Sequence, residues 1–497
     1  MSPSLILLFL ICYFAMLMLV ARITAKKGDN EGYFTGNHLS PWIAVAFGMI
    51  GDSLSGVTFI SVPGAVANTS FHYLQLVLGY FCGYFFIAGL LLPLYYRMNL
   101  VSIYAYLGER TGSGARMTGS VFFLISRILG AAGRLYLAAS VIQLFVFDAY
   151  GVPFWISVSV IITLMLLYTY KGGIKTLVWT DTLQSSFLLM GVVLSVLVIS
   201  NEMNLDLSGL FQTIKNSSYS EVWDWDVNSR TYFWKQFLGG MFITIAMTGL
   251  DQNMMQKNLS CKSLNEAKKN MISFSFVMVL VNILFLSLGA LLFEYAQFSN
   301  ISLPMSAEGK IITDEVFPSL ALNHLGGFAG MVFILGLTAA TFNSADSVLT
   351  TLTTSFYYDI LNEDRNRKHN EKKKTRIRMM IHVGFAVLLL LVILLFRAMN
   401  SRAIIDTILT IATYTYGPLI GLFAYSIIMN RKLNPVLTAL SAIAGPLLSW
   451  YIDQHSAEWW SGYKLGYELL LMNGMLVFVF LWVSGMVWGN PERQDSI

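Results

Sequence analysis

The sequence predicts an all-α integral membrane protein, and three observations carry that reading. Of the 497 residues, 56% are hydrophobic and only 12% are charged, about half the charged share of a soluble domain. Windows of about 20 apolar residues, the length that crosses a hydrocarbon core, recur thirteen times. Lys and Arg gather in alternate loops, as cytoplasmic loops of a multi-pass protein do.

The thirteen spans fall near 4–22, 41–66, 72–96, 118–148, 153–170, 175–200, 233–251, 271–296, 325–356, 377–397, 404–428, 433–452 and 466–488. The first, SLILLFLICYFAMLMLV, is too long for a signal-peptide core and lacks a small-residue cleavage site, so it reads as a retained helix. An external N-terminus places AKK (25–27), Arg97, Arg110, Arg116, Lys171, Lys175, KNLSCKSLNEAKK and NRKHNEKKKTRIR in the cytoplasm. Trp223, Asp224, Trp225, Asp226 and SAEGKIITDE then lie outside. An odd number of spans puts the C-terminus in the cytoplasm, for a multi-pass protein of the cell membrane. The loop 201–232 has room for a short helix but is too short for a domain.

Composition also excludes function classes. The net charge is +4, but the basic residues sit in short loops between apolar segments, so topology explains them without nucleic acid. Cys12, Cys82 and Cys261 form no CxxC pair, and the six histidines show no HExxH spacing. Neither a disulfide framework nor a metalloenzyme follows. No catalytic constellation appears, so the chain is not read as an enzyme.

Function is expected where polarity enters the membrane, because an ionisable residue there costs about 2.5–3.5 kcal/mol. Four places stand out. In IGDSLSGVTFISVPG (50–64), helix breakers coincide with Asp52, Ser53, Ser55 and Thr58; a helix broken at mid-membrane turns free carbonyls toward a cavity. In YTYKGGIKTLVWTDTLQ (168–184), Asp181 lies one to two turns into the sixth span, either capping a helix or facing a cation. In TAATFNSADSVLTTLTTSF (338–356), Asn343, Asp346, Ser347 and Thr350 share a stripe at helical spacing, flanked by Ser344. Oxygen ligands of that kind suit a hard cation such as Na+, while the threonines that follow read as a packing seam. In FFLISRILGAAGRLYL, Arg127 and Arg134 share one face. Either can hold an anion or neutralise a buried carboxylate, with Arg127 leaning to the structural role.

YTYKGGIKTLVWTDTLQ resembles the YT…GGI…V.WTD..Q signature of the sodium:solute symporter family. The resemblance extends to SGVTFISVPG, to the span with NSADS, to DQNMMQKNLSCKSLNEAKK and to YGPLIGLF (416–423), nearest to the branch of bacterial sialic acid symporters. It implies a LeuT-like fold of two inverted five-helix repeats, with one helix before and two after. The repeats would span 41–200 and 233–428, set between the first helix and loop (1–40), the outer loop (201–232), and two helices with a short tail (429–497).

The resemblance also implies sites. The main Na+ site would use carbonyls of Gly51, Leu54 and Ala340 with side chains of Asn343 and Ser344. Asn343 departs from the family's usual hydroxyl. A second cation site would use Asp181, Asn343, Asp346 and Ser347, with Asp346 again replacing a hydroxyl. The solute would meet Ser53, Ser55, Thr58 and Arg134, with Gln75 a loose match. The expected function is Na+-coupled import of a small solute by alternating access, leaning to an anionic sugar acid such as sialic acid, in a protein functional as a monomer. Neutral-solute symport and proton coupling through Asp52, Asp181 or Asp346 are rivals. A transporter-derived sensor is another, which the short tail ERQDSI disfavours.

Overall fold

The polar breaks and apolar runs of the sequence become helices of two kinds, continuous and interrupted. The computed structural model describes residues 3–25, 30–306, 308–399, 410, 414–429, 431–460, 462–463 and 465–488. Among these, nine helices are long and apolar enough to cross a membrane, and three further apolar helices are shorter. No strand forms among them; two isolated bridges, Ser40 with Cys261 and Met305 with Ile311, are the only β pairing.

The first half holds α1 (Pro3–Thr24), α2 (Trp42–Ser53), α3 (Gly56–Thr69), α4 (Tyr73–Phe86), α5 (Ser113–Ile142), α6 (Phe154–Thr169) and α7 (Ile174–Glu202). The second holds α8 (Phe233–Thr244), α9 (Gln252–Leu259), α10 (Leu264–Phe298), α11 (Gly326–Ser355), α12 (Glu371–Met399), α13 (Tyr416–Ile428), α14 (Pro435–Trp459) and α15 (Glu468–Trp488). The expected second span is thus two helices, α2 and α3, interrupted where the glycines and polar residues cluster. The expected span 404–428 is described only at 410 and from 414 onward. The outer loop carries one short helix, Leu207–Asn216.

The stretch after residue 251, expected as a loop, is helical: the chain breaks there and continues as α9, every residue of which is buried within the protein. Polar side chains of α9 reach that depth because they are hydrogen-bonded. Gln252 donates to Val101 O (2.8 Å) and accepts from Ile103 N (2.9 Å). Gln256 donates to Phe34 O (2.7 Å) and Thr354 Oγ1 (2.8 Å). Asn258 accepts from Asn270 Nδ2 at 2.7 Å.

Burial ranks the helices. The most apolar stretch of α11 with its last turn is 83% buried, whereas that of α12 is 28% buried. α11 is therefore a central strut packed by protein on all sides, and α12 shows Leu388, Leu391 and Leu395 outward as a lipid-facing helix does. The threonines of α11 bond back to their own helix, Thr353 to Leu349 O (2.7 Å) and Thr354 to Thr350 O (2.9 Å), and also tie it to its neighbours, Thr353 through His382 Nδ1 (3.0 Å) and Thr354 through Gln256.

Candidate functional site

The first break is built from local signals. Leu54 closes the last turn of α2 by donating to Ile50 O at 2.9 Å, then leaves helical geometry with ψ 85°. Ser55 begins α3 as its cap, its hydroxyl accepting from Thr58 N at 3.4 Å. Carbonyls at the end of α2 therefore have no following turn to bond them. The negative end of α2 also meets the break, which suits a cation.

Two glycines let this break lie directly on α11. A Cβ built on Gly51 would stand 2.3 Å from Asn343 Nδ2, and one on Gly56 would stand 2.1 Å from Thr341 Oγ1. Ser185 of α7 braces the same point, accepting from Gly51 N at 3.0 Å and donating to Gly48 O at 3.2 Å. Of the residues assigned to the main cation site, Gly51 lies directly against Asn343; Leu54 sits at the break, and Ala340 and Ser344 stand on the same stretch of α11 as Asn343.

Asn343 is oriented by chemistry. Its Nδ2 donates to Asp181 O at 3.2 Å, a carbonyl that can only accept, so the amide oxygen must turn away. That Oδ1 is buried with no hydrogen-bond partner. A buried acceptor without a donor is costly, and a hard cation between oxygen ligands would satisfy it. Ser344 folds its hydroxyl onto Thr341 O at 3.1 Å. Backbone carbonyls, an amide oxygen and a hydroxyl are the donors of this set, and such oxygens suit a hard cation such as Na+.

The second assigned set is arranged differently. Lys257 of α9 extends between Asp52 and Asp181 and is ion-paired to both. Both carboxylate side chains are fully buried, and the lysine side chain is 1% exposed. Ser347 Oγ donates to the same Asp181 Oδ2 at 3.4 Å. Asp346 turns elsewhere: its Oδ2 accepts from the Tyr168 hydroxyl at 2.7 Å and its Oδ1 from Ser347 N at 2.6 Å.

Beside the break lies a cavity of about 230 Å³, lined by Ser53, Ser55, Thr58 and Arg134 together with Tyr73, Tyr80 and Tyr84. Four of the five residues assigned to the solute meet here. Gln75 does not line it. Its amide is spent on the outer loop, donating to Thr231 O (2.9 Å) and accepting from Asp224 N (3.3 Å).

The two arginines separate in role. Arg127 Nε pairs with Asp251 Oδ2 at 2.7 Å, and Asp251 Oδ1 caps α9 by accepting from Asn253 N at 2.9 Å. Arg134 bonds only its own helix, through Nε to Gly130 O at 3.0 Å, and has no carboxylate partner among the described residues. Lys257, Asp251 and Tyr168 were not singled out from the sequence. DQNMMQKNL carries no glycine or proline and reads as a polar loop; its one signal is a lone lysine amid amides and methionines.

Comparison with known proteins shows which proteins the chain and its fold are similar to. The chain resembles the sodium/sialic acid symporter SiaT of Proteus mirabilis, 24% identical over 444 residues, 88% of this chain and 86% of that protein. It is 25% identical over 432 residues to the sodium-coupled monocarboxylate transporter 1 of Mus musculus, 85% of this chain and 67% of that one. Its fold superposes on a Na+-coupled sialic acid symporter in a substrate-bound outward-open state with a TM-score of 0.81, at 20% identity and covering 98% of each chain. Mhp1, a nucleobase-cation-symport-1 transporter, follows with a TM-score of 0.55 at 12% identity, covering 93% of this chain and 96% of that one. The family model described as sodium:solute symporter matches residues 33–445, and the chain belongs to that family of membrane transporters.

Proposed function

We propose that the chain imports a carboxylate-bearing solute, foremost a sugar acid of the sialic type, driven by Na+ bound at Gly51, Leu54, Ala340, Asn343 and Ser344. The observation that carries the anionic reading is Arg134: it lines the cavity with no carboxylate partner among the described residues, while Arg127 is paired. A guanidinium left without an anion favours a ligand that brings one. The hydroxyls of Ser53, Ser55 and Thr58 supply partners for a polyhydroxylated acid. The sialic acid symporters among the relatives support this class.

A smaller acid is the second reading, favoured by the modest cavity and its wall of Tyr73, Tyr80 and Tyr84. Monocarboxylate transporters among the relatives support it.

The inverted repeats at 41–200 and 233–428 are supported by one helix break in each, at Leu54–Ser55 and at Leu250–Asp251. In the mechanism, Na+ holds the first break against α11 and thereby fixes the wall from which Ser53 and Ser55 project. Solute and ion each stabilise the same occluded arrangement, and that shared preference is the coupling. Basic loops support an external N-terminus and a cytoplasmic C-terminus.

Thermal stabilisation across sugar acids, monocarboxylates, neutral sugars and amino acids, each with and without Na+, tests the proposal. Sialic acid stabilising only with Na+ is the expected result. Stabilisation by neutral solutes alone, or uptake into proteoliposomes that ignores a Na+ gradient, overturns it.

A further inference from the structure

The second cation site that the family resemblance implies does not fit a sodium ion in this chain, because the protein has placed its own cation there. Lys257 ion-pairs through Nζ with Asp181 Oδ2, the same oxygen that Ser347 Oγ faces. Those two residues are half of the assigned ligand set. The other half is also committed. Asp346 has one oxygen on the Tyr168 hydroxyl and the other on Ser347 N. Asn343 turns its N–H donor, not its oxygen, toward Asp181. A sodium ion there would have to share Asp181, which keeps one oxygen without a partner, with an ammonium, and would meet an amide donor on its other side.

We propose that the Lys257 ammonium is a resident cation that replaces the second Na+, so that the chain binds one Na+, at the main site. The inference rests on the Na+-symport reading and specifies its stoichiometry.

Three features make the lysine a fixture rather than a passing contact. Its helix is buried along its whole length and anchored at its start by the Asp251 cap. Its charge is matched by Asp181 and by Asp52, a second carboxylate with no other partner. A buried ammonium persists only when paired in this manner. Asp52 also lines the solute cavity, so the tethered cation holds the cation cluster and the solute wall together as a bound ion would. The main site keeps its own unpartnered acceptor, Asn343 Oδ1, on the opposite side of the amide.

The test counts ions directly. Equilibrium binding of radioactive sodium to the purified full-length chain, without solute, is expected to saturate at one ion per chain with a Hill coefficient near 1. Lys257→Arg keeps the charge and should keep that count. The double variant Asp52→Asn/Lys257→Met removes the ammonium and its extra carboxylate together, and should raise the count toward two. Two ions bound by the unaltered chain overturn the proposal, whether or not the double variant folds. A monodisperse double variant that still binds one ion also overturns it, leaving Lys257 as a structural bridge. No sodium binding at all by the unaltered chain would overturn the symport reading itself, a result distinct from either.

Discussion

Asn343 occupies the space that any side chain at residue 51 would need. A Cβ on Gly51 would lie 2.3 Å from Asn343 Nδ2 and 2.7 Å from its Cγ. The amide that departs from the family's usual hydroxyl is thus accommodated by the glycine opposite it. Gly51→Ala is expected to destabilise by about 1–3 kcal/mol, the cost of overpacking, and to weaken Na+ binding by pushing Asn343 off its bond to Asp181 O. Asn343→Ser in the same chain should relieve the clash with the amide while keeping an oxygen ligand, leaving Ser185 Oγ, 2.9 Å from that Cβ, to give way. Recovery of both melting temperature and Na+ affinity in the double variant confirms the pairing. Equal losses in single and double variants contradict it.

Arg127 and Asp251 form a pair whose loss is a matter of stability. Asp251 Oδ2 also accepts from the Tyr416 hydroxyl at 3.2 Å, so one carboxylate joins α5, α9 and α13. Removing one partner of a buried pair leaves the other charge uncompensated, at about 3–5 kcal/mol. Arg127→Met and Asp251→Leu are each expected to lower the melting temperature sharply. The two changes combined should cost less than their sum. An additive result would show that the pair is not coupled.

Arg134 predicts the opposite pattern. Its Nε contact is with its own helix, at Gly130 O, so Arg134→Gln should leave the melting temperature and its Na+ dependence nearly unchanged. Stabilisation by an acidic solute should fall by roughly ten- to a hundredfold in affinity, the worth of a charged hydrogen bond of about 1.5–3 kcal/mol. A variant that keeps full affinity for the acid removes Arg134 from the site.

How much of this was legible follows from where the information lies. The break at Leu54–Ser55 is local: Gly51, Gly56 and Pro63 weaken a helix wherever they stand. The polar stripe of α11 is also local, because period 3.6 places Asn343 and Ser347 together. Lys257 was not legible. Its partners Asp52 and Asp181 are 205 and 76 residues away, and only tertiary packing turns a loop-like sequence into a buried helix. Gln75 errs in the same way, since its neighbours are Thr231 and Asp224 across the outer loop.

That outer loop gives a pH prediction. Asp224 accepts from the Thr231 hydroxyl at 2.6 Å and from Asp226 N at 3.0 Å. Burial alone would raise its pKa, but bonds from Ser229, Thr231 and Asp226 hold it below the ordinary carboxylate value. A depressed folded pKa contributes stability that is complete above the unfolded value of about 3.9 and is lost as pH falls through the lower folded value. Trp223 and Trp225, stacked with centroids 6.4 Å apart, report on the loop. Their fluorescence should hold steady from neutral pH down to about pH 4 and change below it. Asp224→Asn should abolish that acid transition, and an unchanged transition would assign it to another group.

Asp346 supplies the sharpest test of the main site. Its two oxygens are held by Tyr168 and by the backbone of Ser347, at 2.7 and 2.6 Å, so the protein itself fixes the carboxylate in place. Asp346→Ser leaves the Tyr168 hydroxyl without its acceptor, a loss of about 1–3 kcal/mol in stability, yet Na+ stimulation of uptake should survive. Asn343→Ala, by contrast, removes the unpartnered Oδ1 and should raise the Na+ concentration for half-maximal uptake at least tenfold, about 1.4 kcal/mol. Tyr168→Phe should reproduce the stability loss of Asp346→Ser without altering Na+ dependence. If Asp346→Ser abolishes Na+ stimulation while Asn343→Ala leaves it intact, the cation binds at Asp346 and the assignment of its ligands is wrong.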